Sequence, residues 1–537
     1  MTMIRHILRK DFRLLWPFAT ALALVPFALV AADLDRGHFR LEDPALNSLL
    51  LFLEIIFYFG GGALILTLIH QDSLVGVRQD WLARPIRRRD LLVAKLLFVL
   101  IVVQLPMLLA NLLEGLADGF SFGHAFLPAI TQNLWLFLAF TLPVLAIASV
   151  TKNLAGAIAS AVAILMAMIC WAILMKVLSG GYPLGPTQNS AIAWIPGMGK
   201  LLIYLTGTSA VLLLQFFRRR LRVSIIVLAT AFALSLFTEM IPWPLAFHWQ
   251  QELSPSPSAA TSVNIAFDPS LKSTSPPTVH GVAPELRGAS LSTDPGNPIL
   301  YLPLQVSGLP PHTILKIDRA VVYAQASGTS RRALLSDPDA SRSFEIPADS
   351  TAATEPFSEY ESIHVRPRIY SALKNRRVTL TVQYSATLLH SASVHQLSPI
   401  AANVRLPGIG WCQTRLNNDQ TQVQLRCMQV GYASQCLTAY LQDSVTGQRN
   451  PDVHGCLDND SPWFGRYKPL DTTTFAGANM PFRDPSGLIH YPVTASQIQH
   501  SVVMLRTYQP MAYFTRTLEL HGIRLSNLVS RRGPGDH

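Results

Sequence analysis

Charge is scarce in this chain. Asp, Glu, Lys and Arg make up 14% of its 537 residues, against roughly 25% in soluble domains. That deficit argues against a wholly soluble protein. Cysteine is also sparse: there are five. Cys170 stands alone in an apolar stretch and reads as an inert packing residue. Signature motifs are missing too. No G-x-x-x-x-G-K-[ST] loop is present to wrap a nucleotide's phosphates; the nearest stretch, Gly197-Met198-Gly199-Lys200, lacks that spacing and reads as a short turn. No H-E-x-x-H, G-x-S-x-G or C-x-x-C occurs. The expectation is a protein with no catalytic residues, cofactor or metal of its own. Asp452, His454, Cys456, Asp458 and Asp460 cluster locally but fit no standard ligand spacing, so a solvated loop is the better reading.

What is present divides the chain in two. Residues 1–245 are dominated by Leu, Ala, Ile, Val and Phe, whereas 250–537 are rich in Ser, Thr, Pro, Gln and Asn. About 20 apolar residues cross a bilayer as a helix. Seven segments approach that length, near 14–32, 48–69, 91–112, 130–150, 155–177, 201–217 and 223–241. Basic residues before the first, with Val30-Ala31-Ala32 at its end, resemble a signal peptide, but six further spans favour an uncleaved helix.

The net charge of +10 does not indicate nucleic acid, because the basic residues sit at the ends of apolar segments. With the N-terminus inside, the inner segments hold fifteen Lys and Arg, among them Arg5, Lys10, Arg87, Arg88, Arg89, Arg218, Arg219 and Arg220. The outer loops hold three, Arg36, Arg40 and Lys200. The positive-inside rule then places residues 246–537 outside the cytoplasm. Cys412, Cys427, Cys436 and Cys456 all fall there, and an even, clustered set suits two disulfides in an oxidising compartment. Their pairing is open among three possibilities.

The expected domains are an amphipathic interfacial helix at 1–13, a transmembrane domain at 14–245, a Pro/Ser-rich linker at 246–298 and a β-rich domain at 299–537. Ile4, Ile7, Leu8, Phe12 and Leu15 recur at helical spacing among basic residues. That pattern suits a helix in the headgroup layer or an extension of the first span. Within the linker, Val263, Ile265 and Phe267 alternate like a short strand. Beyond it, Leu300, Leu302, Leu304 and Val306, then Val378, Leu380 and Val382, then Val423, Leu425 and Cys427 alternate with polar residues. Such alternation predicts half-buried strands in a sandwich-like all-β domain.

Two polar residues lie deep in predicted spans, Glu54 and Gln104, and are candidates for a substrate path or gate. Glu114, Lys176 and Glu239 lie at span ends and are expected to snorkel. The most informative segment is residues 71–90. Leu74, Val77, Trp81 and Leu82 fall at helical spacing around Arg78, Gln79 and Asp80. Pro85 then ends the helix at Arg84. A short amphipathic helix here would dock a soluble partner or lie on anionic lipid.

This stretch resembles the membrane subunits of bacterial type-2 ATP-binding-cassette (ABC) exporters. The likeness rests on Asp72-x-Leu74-Val75-Gly76, on Trp81-Leu82-x-Arg84-Pro85-Ile86, on an Arg-rich start to the next span ending in Lys95, and on the opening Ile7-Leu8-Arg9-Lys10-Asp11-Phe12-Arg13. The resemblance implies an inner-membrane permease working as a dimer with a second permease subunit. Asp72, Leu74, Val77, Arg78, Trp81, Arg84 and Pro85 would then form a coupling helix on a separate cytosolic ATPase. A seventh span and a large outer domain depart from the family's six-span plan. The alternative is a membrane-anchored sensor or assembly protein whose outer β-domain binds a ligand or envelope partner.

Overall fold

The computed structural model describes residues 2–36, 44–72, 87–117, 119–178, 192, 194–268, 299–330, 332–335, 345–347, 357–365, 367–400, 402–406, 410–416, 423–429, 435–444, 453–457, 472–474, 482–483, 489–490, 498 and 500–528. The chain is a membrane protein by its helices. Among the described residues six are long and apolar enough to cross a bilayer: Met3–Ala32, Ser48–His70, Arg88–Ala117, Phe122–Val150, Leu154–Met175 and Trp194–Arg218. A shorter apolar helix, Leu221–Phe237, follows. At 17 residues it rises about 25 Å, and one 3₁₀ turn, Thr238–Met240, extends it.

Several boundaries differ from the sequence expectation. The first helix runs unbroken from Thr2 to Arg36, so residues 1–13 are not a separate element. Ile7 and Leu15 are buried against its neighbours. The third and fourth helices extend toward each other and meet near Gly119, whose φ of +92° makes the tight reversal. Gly197-Met198-Gly199-Lys200 lies inside the sixth helix rather than in a turn. Cys170 is exposed on the fifth helix and is not a packing residue. Glu114 does not snorkel: it is 2% exposed, as Asn111 is at 1%, because the third helix continues past it to Ala117. The side chains of Lys176 and Glu239 lie outside the described residues.

Of three π-helical turns among the described residues, one closes the sixth helix at Leu214–Arg218 and two interrupt helices for an identifiable reason. Leu100–Gln104 and Phe137–Thr141 each end two residues before a proline, Pro106 and Pro143. Proline lacks an N–H and its ring crowds the carbonyl four residues back. A wide turn relieves that clash and lets the freed carbonyl find another donor.

The expected linker is ordered at its start. Helix Trp243–Glu252 and strand Asn264–Phe267 occupy it, while 269–298 lie outside the described residues. The region beyond is mainly β. One sheet of seven strands is built on Ser501–Ile523 and Val378–Leu397, paired antiparallel along most of their length. A second sheet, Asn264–Phe267, Ile299–Ser307 and Phe357–His364, shares one apolar core with it. Leu300, Leu302 and Leu304 from the small sheet, and Leu380, Val382 and Tyr384 from the large one, are buried there. Their two-residue spacing is the alternation seen in the sequence.

The β region is seated on one end of the helical bundle at two places. Trp243 and Phe247 pack with Ile192 and Tyr513, and the Arg319 guanidinium lies 5.1 Å from the centre of the Trp243 ring. Trp411 stacks on His124 with ring centres 3.4 Å apart, next to the Gly119 reversal.

Candidate functional site: a buried charge cluster at the arginine-rich end of the bundle

The end of the bundle away from the β region carries the arginines. Arg88 donates from Nη1 to the Phe217 carbonyl at 2.6 Å, tying the start of the third helix to the last turn of the sixth. Arg219 then turns left-handed at φ +53°. Burial, with Arg88 nearby, holds the Arg219 guanidinium below its ordinary pKa. His70 meets the Thr151 hydroxyl at 3.0 Å, which pins the end of the second helix to the end of the fourth.

Among these groups lies a cluster of four charges. Lys95, 1% exposed, projects from the third helix. Its Nζ donates to Asp11 Oδ2 at 2.9 Å and pairs with Asp72 Oδ2 at 2.6 Å. Lys10 Nζ donates to Asp72 Oδ1 at 2.8 Å and lies 3.8 Å from Asp11 Oδ1. Two cations and two anions alternate, so the cluster is neutral. Three elements meet in it: the first helix, the residues just past the second helix, and the first turns of the third. Apolar packing encloses it, with Phe12 against Phe98 at 4.8 Å and Ile69, Leu91 and Ala94 buried around it.

Isolated charges this deep would be costly, so each must be compensated by a partner. Burial alone would raise the Asp72 carboxyl. The Lys95 and Lys10 ammonium groups outweigh it and hold that carboxyl below its usual range. At 14% side-chain exposure Asp72 faces inward and anchors the root of the following segment. The other proposed coupling residues, Leu74, Val77, Arg78, Trp81, Arg84 and Pro85, lie outside the described residues.

The two candidate path residues are not brought together with the cluster or with each other. Gln104 sits nine residues beyond Lys95 on the third helix, about 14 Å along its axis. It is 3% exposed and donates from Nε2 to Thr141 Oγ1 at 2.7 Å. Both partners close a proline-associated π turn, so the two irregular turns face each other across the bundle. Gln104 Oε1 has no partner among the described residues. Glu54 is half-buried near the opposite end of the second helix.

Sequence reading did not identify Asp11 and Lys95 as partners. A usable signal was there. Asp11 falls between Leu8, Phe12 and Leu15 on a helix, and Lys95 falls four residues after Leu91 and three before Phe98. A lone charge on an otherwise apolar face needs a partner of opposite sign. Among the described residues no group of three or more His, Cys, Asp or Glu could hold a metal ion.

No protein-family model, no curated protein and no solved structure matches this chain.

Proposed function

We propose that this chain is the membrane permease subunit of a bacterial ABC exporter, driven by ATP hydrolysis on a separate cytosolic subunit. The observation that carries the reading is the charge cluster. The segments on which the exporter resemblance rests are the Lys10-Asp11 opening, Asp72 and Lys95. They are far apart in sequence and meet through ion pairs of 2.6–2.9 Å. They meet at the root of residues 73–86, the segment expected to dock the ATPase. A docking helix transmits force only if its base is fixed to the helices it must move. Here the base is fixed to the first and third helices at once. ATP binding by the partner would then bias two arrangements of the bundle by binding them unequally.

In this account the chain crosses the inner membrane seven times. The N-terminus and residues 73–86 lie in the cytoplasm and the β region lies outside. Leu221–Phe237 provides the seventh crossing. Its Ser235 Oγ lies 3.0 Å from Tyr204 Oη, so it runs back beside the sixth helix toward the β region. Two copies, or this chain and a related permease, form the membrane unit. The strand register supports disulfides in the outer region and selects among the pairings. Cys412 lies opposite Cys427, and Cys436 opposite Cys456, in antiparallel ladders. Opposed residues have Cα atoms about 4.5–5.5 Å apart, inside the range a disulfide spans. We therefore assign Cys412–Cys427 and Cys436–Cys456.

The test is co-purification in mild detergent. The wild-type chain should carry a Walker-motif ATPase, and Trp81→Ala should lose it while inserting normally. A wild-type chain that brings no ATPase, or a Trp81→Ala chain that keeps it fully, would defeat the reading.

A further inference from the structure

The arginine-rich end of the bundle carries further charges outside the neutral cluster. Two runs far apart in sequence, Arg87-Arg88-Arg89 and Arg218-Arg219-Arg220-Leu221-Arg222, are brought together there. Arg88 spans the gap, donating from Nη1 to the Phe217 carbonyl at 2.6 Å. Its charge is close enough to act on Arg219. Arg87, Arg88, Arg89, Arg218, Arg220 and Arg222 are all exposed. Among the described residues none of them forms a salt bridge with a carboxylate. Asp11 and Asp72 are already committed to Lys95 and Lys10. Each run also opens a helix, the third at Arg88 and the seventh at Leu221, so the helix dipoles add to the positive potential. Like charges gathered this way repel one another, and an anion seated among them would offset that cost.

Apolar side chains begin directly beside these arginines. Phe217 and Val223 adjoin Arg218 and Arg222, and Leu213, Ile226 and Val93 continue the exposed apolar surface along the same helices. A soluble acidic partner would satisfy the arginines but leave Phe217 and Val223 in water. A phospholipid satisfies both, with phosphate at the guanidinium groups and acyl chains along the apolar side chains. Every basic residue in the two runs is arginine, whose planar fork meets phosphate oxygens two at a time. Two runs offer two such positions. We infer that this face holds a phospholipid bearing two phosphates, cardiolipin, which bridges the starts of the third and seventh helices with one phosphate at each arginine run. The inference requires only that the bundle sits in lipid; it does not require the ATPase.

The experiment is native mass spectrometry of the purified full-length chain. It is titrated separately with cardiolipin and with phosphatidylglycerol, which bears one phosphate. Wild type should hold cardiolipin more tightly. Arg87→Gln and Arg220→Gln change one exposed side chain in each run and disturb no core. Each should weaken cardiolipin about five-fold, the effect of one basic side chain at an anionic membrane surface. Arg524→Gln removes the same charge from an exposed position in the β region and should change nothing. Equal affinity of wild type for the two lipids, undiminished cardiolipin binding in either of the first two variants, or the same loss in Arg524→Gln would overturn the proposal. So would an Arg87→Gln/Arg220→Gln chain that keeps cardiolipin but loses a co-purifying ATPase, because the face would then dock a protein. A wild-type chain that brings no ATPase leaves the lipid affinities as expected here, so the two readings fail separately.

Discussion

Lys95→Met tests the charge cluster most sharply. Methionine keeps a long, flexible side chain and good helix propensity but deletes the ammonium. Asp11, 0% exposed, and Asp72 would then share one cation, Lys10, which is 44% exposed. One carboxylate must take up a proton or remain unpaired. Protonating an ordinary carboxyl of pKa about 3.9 at pH 7 costs about 4 kcal/mol. That agrees with the ~3–5 kcal/mol found when one partner of a buried ion pair is removed. Lys10→Met deletes the exposed partner instead and should cost about 1 kcal/mol or less. Asp11→Asn combined with Lys95→Met removes one charge of each sign, so the pair should cost ~2–3 kcal/mol less than the sum of the singles. Acid adds a second axis. The Asp72 carboxyl is held below its usual range, so its contribution is complete above about pH 4. It is lost as pH falls through the lower folded value, and Asp72→Asn should lose less over that interval. Thermal unfolding of each purified variant in detergent, followed by size-exclusion chromatography, reads the order. A Lys95→Met chain as stable as Lys10→Met, or a strictly additive double variant, would refute the reasoning.

Three further outcomes follow from particular contacts. Gly207 packs so closely on the seventh helix that an added Cβ would lie 2.6 Å from Ala231 Cβ; Gly207→Ala should force the helices apart and cost ~1–3 kcal/mol, visible as a lower unfolding midpoint. Burial, opposed by a hydrogen bond with Gln250 and reinforced by Asp318, pushes the Tyr513 hydroxyl up to about 12. Its stabilising effect is therefore full below about pH 10 and lost as pH rises toward the folded value, and Tyr513→Phe should remove that alkaline loss from a pH series of unfolding midpoints. Peptide mapping without reductant should recover Cys412 linked to Cys427 and Cys436 linked to Cys456; free thiols at these positions would count against the outer placement.

Much of this architecture could be read from the sequence because lipid imposes one dominant pattern. Runs such as Leu154–Met175 have no reading other than an apolar helix, and alternation at Leu300–Val306 or Val378–Val382 marks strands directly. Helix ends were harder. Residues 113–129 read as a connection, yet both flanking helices grow into it: Leu113 and Leu116 carry the third helix on to Ala117, and Phe122, Phe126 and Leu127 start the fourth early even though Pro128, past its first turn, removes one backbone hydrogen bond. The π turns before Pro106 and Pro143 were illegible because other prolines, such as Pro17 and Pro26, sit inside helices without one. In the site, Asp72 was picked out for its motif, but its partners were not. Ion pairing between residues 62 and 84 positions apart leaves no local trace. The proposed cysteine pairing rests on strand register, which spacing alone does not fix.

The account depends on which side of the membrane each part occupies. Two single-cysteine substitutions, Trp81→Cys and His537→Cys, can be labelled in spheroplasts with a membrane-impermeant maleimide. The prediction is that position 537 reacts in intact spheroplasts and position 81 reacts only after permeabilisation. Labelling of both from the same side would contradict it.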